Sequence, residues 1–256
     1  MANVLLEQNS NGVTWIRINR EEIRNAVNFE VMEELNDLLT IAEKDESKVV
    51  IISGIGKKAF CSGGDLSAFQ HILSEDAARR MLMKMGAVIE RIAFFPKITI
   101  AALNGTAVGG GAELASACDF RIAAPHIKVG FVQANLAITT GWGGGTLLLE
   151  RIAKLEALQM LLSAKMYSTE ELIRNGFIQH VITKEPFEEG VIDFAGPFLN
   201  KTKGVIQAYK GRYIDHLDQG RIHLNMKNEI AECAKLWEEK EHHEAVLAFL
   251  KKSKNI

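Results

Sequence analysis

The stretch Ala102-Leu-Asn-Gly-Thr-Ala-Val-Gly-Gly-Gly-Ala-Glu-Leu-Ala115 decides the fold predicted for this chain. The apolar run that leads into it predicts a strand, Asn104-Gly105 predicts a turn, and three glycines then precede a small-residue helix over Ala112–Cys118. The first amides of a helix have no partner within it, and the helix dipole makes that end partly positive. The bare backbone at Gly109–Gly111 can therefore stabilise a negative oxygen, although a simple turn explains a single glycine cluster equally well.

Strands and helices alternate on both sides of this stretch. Gly12–Asn19 alternates with period two, and Val49–Ser53 is a continuous β-branched run, typical of a strand buried on both faces. Apolar residues at helical spacing predict helices over Asn28–Glu43, with Asn28 as N-cap, and over Ser74–Phe94. The alternation of strands and helices indicates the α/β class.

Two further segments affect the predicted organisation. Residues 54–64 are rich in glycine and predict a loop, and Gly196-Pro197 interrupts the chain before a charged, helical end. We therefore divide the chain into a core over residues 1–195 and a helical C-terminal region over residues 196–256. This C-terminal region is too small to bury a hydrophobic core of its own, so it should pack on the core region of the same chain or on another subunit.

Composition excludes several classes of function. The 256 residues include 30 basic and 32 acidic side chains, a net charge of −2, whereas nucleic-acid and anionic-membrane binders depend on dense basic patches. No apolar run reaches the ~18 residues of a membrane span, and the N-terminus lacks the layout of a signal peptide. Cys61, Cys118 and Cys233 are too far apart for a zinc site or a disulfide framework. We expect a cytoplasmic protein with packed cysteines and no metal site.

Two other glycine-containing segments invite comparison with nucleotide and hydrolase motifs. Gly54-Ile-Gly56-Lys-Lys-Ala59 fits the dinucleotide fingerprint, but Gly63-Gly64 lie where its helix should continue. Ser62 lacks the leading glycine of a nucleophile elbow. Neither motif is favoured.

Several motifs occur in order along nearly the whole chain: Ala59-Phe-Cys-Ser-Gly-Gly-Asp-Leu66, the opening stretch, Cys118-Asp119 and Gly141-Trp-Gly-Gly144. In these the chain resembles the crotonase (enoyl-CoA hydratase/isomerase) family. The resemblance implies a spiral of ββα units followed by a helical C-terminal region that mediates homotrimerisation, often as a dimer of trimers. It also implies an acyl-CoA substrate, with coenzyme A as part of the substrate and no separate cofactor.

The resemblance assigns site residues as well. The thioester carbonyl would lie between the amides of Gly64 and Gly110, which stabilise a thioester enolate. Further substrate or coenzyme A contacts implied by the motifs are Ala26, Ser62, Gly63, Asp65, Leu66, Gly109, Trp142 and Lys252, with Lys57 and Lys58 as further candidate phosphate partners. The segment Asn19–Val27, which includes Ala26, resembles the early loop with which the family touches coenzyme A. The family layout also suggests an acyl pocket along a helix over Ser67–Glu90, lined by Phe69, Ile72, Leu73 and Leu82.

The chain departs from the family pattern at one catalytic position. Hydratases of the family use two glutamates, and Glu113 matches the first; alone, an acid there could merely complement the helix dipole. The second lies eight residues before the glycine of the Gly141-Trp segment, which is Gln133 here. A neutral glutamine can orient water or a carboxylate but cannot accept a proton, and loss of a general acid/base costs about 10²–10⁴ in rate.

Decarboxylation of a malonyl-type thioester reaches the same enolate without a base, and a glutamine tolerates the substrate carboxylate. The glycine motif and the segment around Gln133 resemble the ethylmalonyl-CoA decarboxylase branch, so decarboxylation of an alkylmalonyl-CoA is slightly favoured. The alternatives are an enoyl-CoA hydratase that uses Glu113 alone and a non-catalytic, trimeric scaffold that binds coenzyme A.

Overall fold

The computed structural model of the chain describes residues 2–9 and 11–253, with side chains up to residue 251. Two β-sheets lie among helices. The larger has six strands, in spatial order β1 (Val4–Asn9), β2 (Val13–Ile18), β3 (Val49–Gly54), β5 (Ile98–Leu103), β7 (Phe120–Ala123) and β10 (His180–Val181). The smaller has four, in the order β4 (Ala59–Cys61), β6 (Thr106–Val108), β8 (Lys128–Gly130) and β9 (Tyr167–Ser168).

The chain contributes strands to the two sheets in turn. β3 is followed by β4, β5 by β6, and β7 by β8, so each successive pair adds one parallel strand to each sheet. Helices follow these pairs, which is the repeating ββα arrangement expected from the sequence. The predicted α/β class and crotonase-type spiral are therefore confirmed.

The glycine-rich segment 54–64 is not entirely a loop, because it contains strand β4. Asn104 orders the segment: its Nδ2 donates to the carbonyls of Gly54 at 2.8 Å and Gly56 at 2.6 Å. A strand follows these glycines where the dinucleotide fingerprint requires a helix, so that motif is excluded.

Seven helices accompany the strands: α1 (Phe29–Lys44), α2 (Leu66–Phe69), α3 (Glu75–Ala93), α4 (Gly110–Ala117), α5 (Gly144–Arg151), α6 (Lys154–Ser163) and α7 (Thr169–Arg174). Asn28 caps α1 as predicted, since its side chain accepts from the amide of Val31. The helix expected over Ser67–Glu90 is wrong: α2 ends at Phe69, and α3 begins only after Ser74, whose side chain caps it.

The C-terminal part consists of α8 (Phe187–Leu199), α9 (Lys203–His216), α10 (Gln219–Glu238) and α11 (Lys240–Ser253). The predicted boundary at 195/196 falls inside α8, which continues through Pro197. Val191 and Ala195 of this helix are buried against the larger sheet, and that burial offsets the hydrogen bond that a proline cannot make.

The helical end packs on the body of its own chain. α10 lies along α3, where a Cβ on Gly86 would come within 2.6 Å of the Ile230 side chain. α9 is held by Lys210, whose buried ammonium pairs with the carboxylate of Asp119. None of the described helices is long and apolar enough to cross a bilayer.

The main core lies between the two sheets and the helices around them. β2 and β3 are buried along their whole length, as the β-branched run of β3 predicts. Cys61, Cys118 and Cys233 are buried free thiols.

Candidate active site

The loop that contains Gly63 and Gly64 brings a backbone amide to the site. Gly63 has φ +94°, which favours glycine, and its carbonyl accepts from the amide of Val27 at 2.8 Å. Gly64 lies in an isolated parallel bridge with Val27. Within the described chain, the amide of Gly64 itself donates to no other group.

A second free amide stands at the N-terminus of α4. Gly109 precedes the helix with φ +55° and its own amide bonds to the carbonyl of Gly130, which leaves Gly110 as the first helical residue. The amide of Gly110 also has no acceptor among the described residues. The loop and the helix touch, since a Cβ placed on Gly63 would lie 3.1 Å from the nitrogen of Gly110. The fold thus brings the two predicted donors to adjacent backbone segments.

Glu113 lies in the first turn of the same helix and is buried. Its Oε2 accepts from the amides of Trp142 and Gly144, both at 2.9 Å, and its Oε1 accepts from the amide of Gly141 at 3.3 Å. Burial and the nearby charge of Glu229 raise the pKa of Glu113 to about 8, while the three amides act in the opposite direction. Protonation of Glu113 is therefore favoured relative to an ordinary glutamate.

Gln133 faces Glu113 directly. Its Nε2 donates to Oε1 of Glu113 at 2.8 Å, whereas its own Oε1 is buried and has no partner. The neighbouring Ala134 is exposed. The structure thus places an amide, not a second carboxylate, beside Glu113.

Trp142 lies against the glycines rather than at the surface. A Cβ on Gly110 would overlap the indole ring, and a Cβ on Gly64 would lie 3.8 Å from its Cζ2. A side chain at Gly110 would therefore first meet Trp142. At Gly111 it would overlap the backbone of Cys61.

Glu229, on α10, is a site residue that sequence reasoning missed. Its carboxylate accepts from the amides of Gly145 at 3.1 Å and Thr146 at 2.7 Å. The first turn of α5 thus divides its amides between Glu113 and Glu229. No local pattern in the sequence marks Glu229, because only the packing of α10 on α5 brings it there.

The segment expected to contact coenzyme A borders an open cavity of about 550 Å³. Arg24 and Lys58 line this cavity together with Glu21 and Glu22. Lys58 was a candidate phosphate partner, whereas Arg24 was not expected. The cavity thus offers two cations close to the predicted segment.

Arg20 connects two predicted contact residues, Ala26 and Asp65. It donates to the carbonyl of Ala26 at 2.8 Å and pairs with Asp65 at 3.1 Å. Asp65 also caps α2, which begins at Leu66. Burial acts to raise the pKa of Asp65, but the hydrogen bonds from Ser67 and Arg20 outweigh it and lower the pKa. The side chain of Asp65 is therefore occupied in holding the loop.

The remaining predicted residues lie as follows. Ser62 donates its amide to the carbonyl of Arg24 at 3.1 Å. Leu73, expected in the acyl pocket, is instead 59% exposed, because it belongs to the connection between α2 and α3. Lys252 lies in α11, and its side chain is outside the described residues. Lys57 is exposed.

Comparisons with known proteins agree with this architecture. A family model described as enoyl-CoA hydratase/isomerase matches residues 8–255. The crotonyl-CoA hydratase of Syntrophomonas wolfei is 33% identical over 253 residues, which cover 98% of this chain and 96% of that protein. The ethylmalonyl-CoA decarboxylase of Gallus gallus is 33% identical over 213 residues, 81% of this chain and 71% of that protein. The crystal structure of carnitinyl-CoA hydratase from Mycobacterium avium matches with a TM-score of 0.86 at 29% identity, covering 98% of this chain and 97% of that one.

Proposed function

The chain belongs to the enoyl-CoA hydratase/isomerase family, and on that basis we propose that it is a lyase that decarboxylates a malonyl-type, alkyl-substituted thioester of coenzyme A. The observation that carries the proposal is the Gln133–Glu113 pair. Where hydratases have a second glutamate to help add water, this site has the neutral amide of Gln133, which is bonded to Glu113. Decarboxylation needs no base, so the absence of a second carboxylate at this position does not hinder it.

The amides of Gly64 and Gly110 hold the thioester oxygen in this proposal. Neither amide has an acceptor within the described chain, and both stand at touching backbone segments. Each such donor typically lowers the barrier by about 3 kcal/mol, because it is already oriented when charge develops on the oxygen. The amide of Gly110 also lies at the positive end of α4.

The reaction then proceeds in two steps. The bond between the α-carbon and the substrate carboxylate breaks, CO₂ leaves, and the electron pair passes to the thioester as an enolate held by the two amides. A proton then adds to the α-carbon, which gives the saturated acyl-CoA. Glu113, whose pKa is raised to about 8, is the acid that we assign to this second step.

Coenzyme A itself is expected along the segment Asn19–Val27. Arg24 and Lys58 border the cavity there and suit phosphate groups. The likeness to the ethylmalonyl-CoA decarboxylases of Gallus gallus and Xenopus tropicalis, at 33% and 30% identity, supports a substrate of this class. Coenzyme A enters as part of the substrate, and no separate cofactor is required.

Hydration of an enoyl-CoA by Glu113 is the second candidate. Two observations favour it: the likeness to the crotonyl-CoA hydratase extends over 98% of the chain, and the unpartnered Oε1 of Gln133 can accept a hydrogen bond from water. Both reactions pass through a thioester enolate, so the two amides serve both.

One experiment separates the candidates. The purified protein is given methylmalonyl-CoA, ethylmalonyl-CoA and crotonyl-CoA in parallel, and CO₂ release and water addition are followed. We expect kcat/KM for an alkylmalonyl-CoA to exceed that for crotonyl-CoA by about tenfold or more. Faster hydration would overturn the proposal, and binding of coenzyme A thioesters without any turnover would favour the scaffold alternative.

Assembly and location complete the proposal. Exposed apolar side chains on the helical end, including Val205, Tyr209 and Leu224, support self-association as a homotrimer or a dimer of trimers. Light scattering coupled to gel filtration tests this, and a monomer would contradict it. A cytoplasmic location is tested by cell fractionation.

A further inference from the structure

Two aromatic rings pack against the backbone of Gly64 and Gly110. The indole of Trp142 packs on the Cα of Gly110 so closely that a Cβ there would overlap it, and its Cζ2 faces Gly64. Phe69 approaches Gly64 from α2, within 3.0 Å of where a Cβ would stand. Trp142 and Phe69 are only 4% and 3% exposed.

Both rings are held in place by groups other than each other. The amide of Trp142 donates to Glu113 at 2.9 Å, which fixes the backbone from which the indole projects. Phe69 meets Phe29 edge-on, with ring centroids 5.4 Å apart. Such rings move aside only at a cost, because a close-packed interior resists added volume.

We propose that Trp142, together with Phe69, restricts the acyl group to short chains by occupying the space beside the thioester. This inference rests on the proposed function, in that the thioester carbonyl lies between the amides of Gly64 and Gly110. The α-carbon is bonded directly to that carbonyl, so its substituents begin next to the indole. A long chain must therefore displace the ring.

Binding of saturated acyl-CoAs tests this without depending on the reaction, because these ligands have neither a carboxylate to lose nor a double bond to hydrate. Dissociation constants are measured for acetyl-, butyryl- and octanoyl-CoA with the wild-type protein and with Trp142→Ala. We expect the wild type to bind octanoyl-CoA about tenfold more weakly than butyryl-CoA, and Trp142→Ala to abolish that difference.

Two further variants make the result decisive. Trp142→Phe keeps most of the ring and should keep the preference for short chains, whereas Trp142→Leu opens the site with a smaller loss of packing in case Trp142→Ala does not fold. Equal binding of butyryl- and octanoyl-CoA by the wild type, or an unchanged ratio in both Trp142→Ala and Trp142→Leu, would overturn the inference. Failure of the proposed reaction shows separately, as absence of CO₂ release with the binding ratios intact.

Discussion

Gln133 donates from Nε2 to Oε1 of Glu113 at 2.8 Å, and the other end of its amide, Oε1, is buried without a partner. The orientation of the Gln133 side-chain amide depends on whether Glu113 is protonated. When Glu113 carries that proton, the amide can turn over, so that its oxygen accepts from Glu113 and its NH₂ becomes the unpartnered group. The same residue can thus offer an acceptor to water or a donor to a carboxylate.

This relationship predicts the effect of Gln133→Glu. A second carboxylate supplies the missing base and repels a substrate carboxylate, so hydration of crotonyl-CoA should rise and decarboxylation should fall, each by about tenfold or more. Both rates are measured on one preparation, with Gln133→Met as an uncharged control of similar size. If the wild type already hydrates crotonyl-CoA rapidly and Gln133→Glu changes nothing, the role assigned to this position is wrong.

Glu229→Gln should alter the pH dependence of stability through Glu113. Because burial and Glu229 raise the pKa of Glu113 from 4.5 to about 8, the native state holds a proton that the unfolded state releases at lower pH. The resulting stabilisation is complete below the pKa that Glu113 has in the unfolded state, and it is lost as the pH rises towards the native-state value of about 8. Removing the charge of Glu229 lowers the pKa of Glu113 in the native state. The loss of stability with rising pH should therefore be smaller and should end at lower pH.

Urea unfolding between about pH 5 and about pH 9 gives the free energy of unfolding of each protein, and the slope of that free energy against pH measures the difference. Thr146→Val is the matched control, because it removes the hydrogen bond of 2.6 Å from Oγ1 to Glu229 and leaves the charge. Equal slopes for the wild type and Glu229→Gln would show that Glu229 does not act on Glu113.

Lys210→Met should destabilise the protein by about 3–5 kcal/mol, because it leaves the buried carboxylate of Asp119 without its partner. Lys203, on the same helix, makes an exposed pair with Glu46 at 3.3 Å, and Lys203→Met should change stability by less than about 1 kcal/mol. Chemical denaturation measures both. Similar values for the two variants would mean that the buried pair does not anchor α9.

His242→Leu should weaken the packing of two segments, the turn from Gln133 to Leu136 and the connection that contains Ile72. Nδ1 of His242 lies 2.7 Å from the carbonyl of Leu136, in the turn that begins with Gln133, and the ring packs on Trp237 at 4.7 Å. Trp237 in turn donates from Nε1 to the carbonyl of Ile72 at 2.9 Å. We expect kcat/KM to fall about fivefold, in line with the loss of one hydrogen bond of about 1 kcal/mol.

His243→Leu is the control for that variant, since His243 is the adjacent residue and, within the described chain, its hydrogen bond to Glu239 comes from its backbone amide and not from its side chain. Amide hydrogen exchange at residues 133–138 should increase in His242→Leu alone. An equal increase in the His243→Leu variant would contradict a specific role for His242.

Local features of this protein follow from the sequence because they depend on neighbouring residues. Asn28 and Ser74 cap their helices through amides three residues away, and the strand over Ile98–Leu103 follows from its apolar run. The glycines before α4 expose a helix N-terminus wherever the chain carries it, so a free amide there could be predicted locally. The pair Gly64 and Gly110 was implied by the family resemblance. The exchange of glutamate for Gln133 is likewise visible in the sequence alone.

Only the tertiary structure decided what surrounds those residues. Strand β4 forms inside a glycine-rich segment because Asn104 and β6 order it from a distance. Glu229 reaches the start of α5 through the packing of α10, and the indole of Trp142 covers Gly110. These contacts join residues that are far apart in the chain. Their favourable free energy comes from burial and from hydrogen bonds to amides that have no local partner. They therefore cannot be predicted from any short stretch of sequence.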